Sequence, residues 1–145
     1  MKLSTRIRYG LRLLVGFAVR YKEGFVQLNE VTRAEGISEK YSEQIVRILR
    51  TTGILVSHRG AQGGYRLAYP PDKITVLDVI EALEGKFYIT GCLKESNCKR
   101  ISNCVARDVW KKLQDAIVST LNSITLADLA KDYREKRASN ITYEI

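Results

Sequence analysis

Cysteine is absent from nearly the whole chain. The 91 residues before position 92 and the 41 after position 104 contain none, and Cys92, Cys98 and Cys104 stand at C-x5-C-x5-C spacing. Three thiols in one polar stretch do not make a disulfide framework, and they fit a protein of a reducing compartment. Histidine occurs once, as His58, so a histidine-rich metal site is excluded and no cysteine has a histidine base beside it in sequence. The only prolines are the adjacent pair Pro70 and Pro71, which predicts one sharp break. No apolar run approaches the roughly 20 residues that cross a membrane, and the stretch 11–19 is interrupted by Arg12. With no cleavage site after that stretch, a signal peptide is not expected and the cytoplasm is. No G-x-G-x-x-G opens a helix and no G-K-[ST] follows a strand, so nucleotide-binding loops are excluded.

At 145 residues and a formal charge of +8, the chain is one domain or a small domain with an oligomerisation element. The charge is uneven. Residues 1–73 carry 13 Lys/Arg against 6 Asp/Glu, a net of +7, while 74–145 carry 11 against 10, a net of +1. A concentrated positive field attracts polyanions, nucleic acid above all.

The first half carries helix signals in quick succession. Ser4 or Thr5 caps a helix to about residue 21, with Ile7, Leu11, Leu14, Val15 and Ala18 at helical spacing, widened by Tyr9, Leu13 and Phe17. A short helix at about 29–35 buries Val31 and Ala34, and Gly36 stops it. Ser38 caps a third helix at about 39–52, with Tyr41, Ile45, Ile48 and Leu49 inward and Lys40, Glu43, Gln44, Arg47 and Arg50 outward. Two helices joined by a short Gly-containing turn, the second with a basic outer face, make a helix-turn-helix. An ordinary helical hairpin with a wet charged face has the same pattern. The next segment separates the two: Ile54-Leu55-Val56 reads as a strand, Tyr65-Arg66-Leu67 as its return, and residues 57–64 between them hold three glycines, Arg59 and Gln62. Such a hairpin tip is a wing, whose small residues let backbone approach a duplex while Arg59 enters the minor groove.

After the proline pair, Thr75 and Asp78 have capping-box spacing for a helix at about 76–84, burying Val76, Val79, Ile80 and Leu83. Cys104 then stands at the start of a long helix to about residue 121, with Val105, Val109, Leu113, Ala116, Ile117 and Leu121 as its apolar stripe. This stripe is expected to pack against a second copy, or else to fold back over its own domain. Another capped helix follows at about 125–136, and a frayed tail is expected from residue 138. The basic, looped setting of the three thiols suits a soft metal or an iron–sulfur cluster, 2Fe–2S or 4Fe–4S. Zinc with a carboxylate or water, or a bare-thiol sensor, is the alternative; a small redox enzyme is a more distant one.

Together these segments resemble the IscR-type family of bacterial winged-helix regulators. The likeness runs from residue 3 to about 133 and rests on Ser-Thr-Arg-Ile-Arg-Tyr-Gly-Leu at 4–11, Gly-Ile-Ser-Glu-Lys-Tyr-Ser-Glu-Gln at 36–44, Arg-Gly-Ala-Gln-Gly-Gly-Tyr at 59–65, Ile-Thr-Val-Leu-Asp-Val-Ile at 74–80, the three cysteines, and Asn-Ser-Ile-Thr-Leu-Ala-Asp-Leu at 122–129. The resemblance implies a homodimer joined through the long helix and reading a palindromic operator. Ser38, Lys40, Tyr41 and Glu43 would meet the major groove, with Gln44 and Arg47 on the same helix and Arg59 and Gln62 in the wing. It also implies a cluster on Cys92, Cys98 and Cys104, with a fourth ligand from a histidine three residues after the last cysteine or a carboxylate on the partner's first helix. Those positions are Arg107 and Arg8 here, and guanidinium offers no lone pair.

The expected architecture is therefore mainly α with a small β-hairpin. It comprises a winged helix-turn-helix at 1–73, a linking helix and loop at 74–91, a cysteine loop at 92–104, dimerisation and C-terminal helices at 104–137, and a tail at 138–145. A transcriptional regulator, most simply a repressor, is expected rather than an enzyme.

Overall fold

The computed structural model describes residues 2–144, with side chains through position 140. Among the described residues, seven helices and one hairpin follow in the order α1 (Thr5–Val19), α2 (Leu28–Glu35), α3 (Glu39–Thr51), β1 (Leu55–His58), β2 (Gly64–Leu67), α4 (Val76–Glu84), α5 (Gly91–Lys94), α6 (Val105–Ser123) and α7 (Leu126–Glu144). Short 3-10 turns at Tyr21–Glu23 and Pro71–Lys73 mark the breaks after α1 and after the proline pair.

α1 is the central helix, with α2, α3, α4 and α7 packed around it. Ser4 caps it by accepting from the Ile7 N–H at 3.1 Å. Its buried face centres on Leu13, Leu14 and Phe17, and Leu11 and Val15 lie at the edge of the core, half buried. Packing on several sides thus shifts the apolar face by part of a turn from the stripe that helical spacing picked out. Gly10 permits close contact with α4: a Cβ there would lie 2.5 Å from Leu83 Cδ1.

α2 ends on Gly36 in the left-handed conformation, φ 64°, and α3 begins three residues later on its Ser38 cap. The antiparallel wing pairs Leu55 with Leu67 and His58 with Gly64 at its ends. A third segment joins it, because Val26 and Tyr65 exchange backbone bonds of 2.9 and 2.8 Å. Gly64 is required there: its φ is +149° and a Cβ would stand 2.3 Å from the Val26 carbonyl oxygen.

The Thr75–Asp78 capping box forms as expected, and all four apolar residues predicted inside α4 are buried. A second reciprocal pair, Thr125 and Asp128, starts α7. The two starts are tied back to back, with the Val76 N–H donating to the Ile124 carbonyl and the Leu126 N–H to the Ile74 carbonyl, each at 2.9 Å. This tie turns the chain back onto the winged helix, where Leu126 and Ala130 are buried against α1. α7 continues past residue 136, so the tail expected from residue 138 is helical as far as Glu144. α6 buries no residue of its own: Val105 is 81% exposed, Val109 56%, Trp110 41% and Leu113 39%. Ala116 is exposed as well, Ile117 is half buried, and Leu121 is half buried against Val76 and Ile80 of α4.

Candidate nucleic-acid interface and thiol loop

Lys40, Glu43, Gln44, Arg47 and Arg50 are exposed along α3. The inward half of that helix, Ile45, Val46 and Leu49, is buried, so its orientation is set by the core. Ser38 uses its Oγ to cap the Tyr41 N–H at 3.3 Å. Tyr41 is half buried, its ring edge-on to Tyr9 at 5.8 Å, and Arg12 lies over the Tyr9 ring at 5.5 Å. The outer face of α3 adjoins the wing. Glu39, Glu43, Arg47 and Arg50 share an open cleft of about 380 Å³ with Gln27, Leu28 and Asn29 at the start of α2 and Tyr65 of β2.

At the wing tip Arg59 and Gln62 are exposed, and a Gly63 N–H to Gly60 carbonyl bond of 3.0 Å closes the turn. His58 is exposed too, with its ring 5.3 Å from that of Phe25, and Arg66 covers Phe25 at 4.8 Å. The residues from Phe25 to Asn29 therefore belong to this face, which periodicity does not reveal. The one signal for it is the glycine at 64, whose missing Cβ makes room for the Val26 backbone.

The thiol loop lies beside α6. Cys92 is half buried in α5, with its Sγ 3.1 Å from Thr90 Oγ1. Cys104 is half buried at the N-cap of α6, and Cys98 is exposed between them. α6 grips the start of the loop. Gln114 Oε1 accepts from the Ile89 N–H at 3.0 Å, and Arg107 Nε donates to the Cys92 carbonyl at 3.4 Å. Arg107 thus holds backbone at the position where the resemblance places a histidine ligand. Among the described residues, no three cysteine, histidine, aspartate or glutamate side chains gather as a metal site. The three thiols suit a cluster by donor type, but in this arrangement they are not brought together.

Residues 3–132 match the family described as "Rrf2: Iron-dependent Transcriptional regulator". The chain is 40% identical over 145 residues to the protein rrf2 of Nitratidesulfovibrio vulgaris, covering 98% of this chain and 97% of that one. The solved structure of CymR, the global cysteine regulator of Bacillus subtilis, is similar at a TM-score of 0.78 and 37% identity, covering 90% of this chain and 97% of that one. The T. potens IscR structure is similar at a TM-score of 0.76 and 38% identity, covering 94% and 90%.

Proposed function

This chain belongs to the Rrf2 family of transcriptional regulators, and on that premise we propose that it reads a palindromic operator as a homodimer, its affinity tuned by the thiol loop. The observation that carries the DNA reading is the shared face of α3 and the wing. Lys40, Gln44, Arg47 and Arg50 stand exposed on a helix held by its buried side, with Arg59 and Gln62 on the adjoining hairpin. A helix of this diameter fits the major groove, and arginine at a glycine-rich tip fits the narrower minor groove. Glu43 accepts a bond from cytosine N4 but is repelled by phosphate, so it selects against sites lacking that partner. The exposed stripe of Val105, Val109 and Leu113 supports dimerisation through α6.

Cys92, Cys98 and Cys104 are the proposed ligands of an iron–sulfur cluster, which would supply redox sensitivity to the loop. Lys94, Lys99 and Arg100 on the same loop would offset the charge of the thiolates. A second reading follows from their separation: Cys98 is exposed and free, as a thiol sensor without metal would have it. The CymR relative, described as a cysteine regulator, makes that reading concrete.

Two measurements test the proposal. Titration of a labelled operator over a salt series should show affinity falling steeply with salt, because bound arginine and lysine displace counterions. Salt-insensitive or absent binding would refute DNA recognition. Iron and sulfide quantitation on protein purified without oxygen tests the cluster: iron with matching sulfide supports it, no metal favours the second reading, and zinc without sulfide overturns both in favour of a zinc site.

A further inference from the structure

The last turn of α2 leads directly into the residues that aim α3, and it is gripped from outside the helix-turn-helix. The final carbonyls of a helix have no partner within it and lie at its negative end. In α2 the Ala34 carbonyl accepts from Arg137 Nη2 of α7 at 3.3 Å, and the Glu35 carbonyl accepts from Arg12 of α1. The Glu35 side chain, only 10% exposed, accepts from the Tyr133 hydroxyl at 2.7 Å and lies 3.8 Å from Arg137 and 4.0 Å from Arg12. Arg137 also covers the Tyr133 ring at 4.5 Å, and Arg134 donates to the Val19 carbonyl at the end of α1, 3.0 Å away. Burial first, and the Glu35 bond second, push the Tyr133 hydroxyl above its ordinary value of 10.0, so it remains a donor throughout the neutral range.

We infer that Glu35 and Tyr133 are positioning residues for DNA recognition, through which α7 sets the angle of the helix-turn-helix on α1. A carboxylate this far out of water is costly unless paired, and releasing α7 takes away its Tyr133 and Arg137 partners, leaving only Arg12 of α1 at 4.0 Å. Two residues, Ile124 and Thr125, separate α7 from α6. A shift of α6 therefore reaches the turn before α3 through α7. The inference rests on the DNA-binding reading above.

The test uses the full chain. Tyr133→Phe keeps the ring that Arg137 covers and removes only the donor, and Glu35→Gln keeps the size and removes the charge. Operator affinity should fall roughly three- to tenfold in Tyr133→Phe, the equivalent of one net hydrogen bond. Affinity for unrelated duplex and the salt slope should stay at parent values, and exchange of the amides at 36–38 should quicken. A merely structural role would lower the melting temperature and leave the ratio of operator to unrelated-duplex affinity unchanged. An unchanged ratio in Tyr133→Phe overturns the inference, even if Glu35→Gln fails to fold. Absence of salt-sensitive operator binding in the parent, measured first, overturns the DNA reading and this inference with it.

Discussion

Substituting Val109→Asp should convert the proposed homodimer to a monomer, and the size of the effect follows from what α6 leaves uncovered. Full burial of a valine or leucine side chain contributes roughly 1.5–3 kcal/mol. With Val105 81%, Val109 56% and Leu113 39% exposed, completing their burial contributes about 1.2–2.4, 0.8–1.7 and 0.6–1.2 kcal/mol. A two-fold interface uses each twice, so these residues supply about 5–10 kcal/mol against an association cost of about 4–15. Val109→Asp removes about 0.8–1.7 kcal/mol per copy and places an unpaired carboxylate in an apolar seam, at about 2 kcal/mol or more per copy. The dimer should weaken at least about ten-thousandfold. Because Val109 faces solvent within the protomer, the substitution leaves the protomer's own core intact. Sedimentation velocity across a concentration series reads the result directly, with Lys111→Ser as the control. Affinity for a full palindrome should drop toward that for a half-site, since the second head is no longer tethered. If Val109→Asp sediments as the parent does, the outward stripe of α6 is not the interface and the reasoning fails.

Arg59→Ala should weaken operator binding several-fold and lower the salt slope by about one phosphate contact, with dimer state unchanged, as a salt-series titration would show. Gly64→Ala should destabilise the wing. Its Cβ would overlap the Val26 carbonyl at a backbone angle that suits glycine, and both thermal melting and operator titration would register the loss. Replacing any one of Cys92, Cys98 or Cys104 by serine should sharply lower iron and sulfide content while sedimentation stays dimeric; full retention in one mutant removes that cysteine from the ligand set.

The local grammar of the chain was legible because its signals act within a few residues. Ser38 caps a neighbour three positions on, Thr75 and Asp78 close a box over the same distance, and Gly36 and Gly64 stand where the backbone has positive φ. These suffice for the helix-turn-helix, the wing and the solvent-facing basic residues of α3, since a helix with one apolar side orients itself. The apolar pattern of α6 was likewise visible, but its residues divide: Val105, Val109 and Leu113 face outward, while Ile117 and Leu121 are half buried within the protomer.

Contacts between distant positions carry no such signature. Tyr133 and Glu35 are 98 positions apart, and neither periodicity nor composition pairs a tyrosine on a weakly amphipathic helix with one glutamate among many. The return of α7 to α1 depends on two backbone bonds linking the starts of α4 and α7, which any sequence with a donor and an acceptor could make. The thiols show the same division. Spacing marked Cys92, Cys98 and Cys104 as one chemical set, whereas their arrangement depends on α6, whose Arg107 and Gln114 hold the start of the loop by its backbone. Residue type determined what each segment of this protein can be; the packing of α6 and α7, and the charges and carbonyls left to pair across them, decided how those segments are joined.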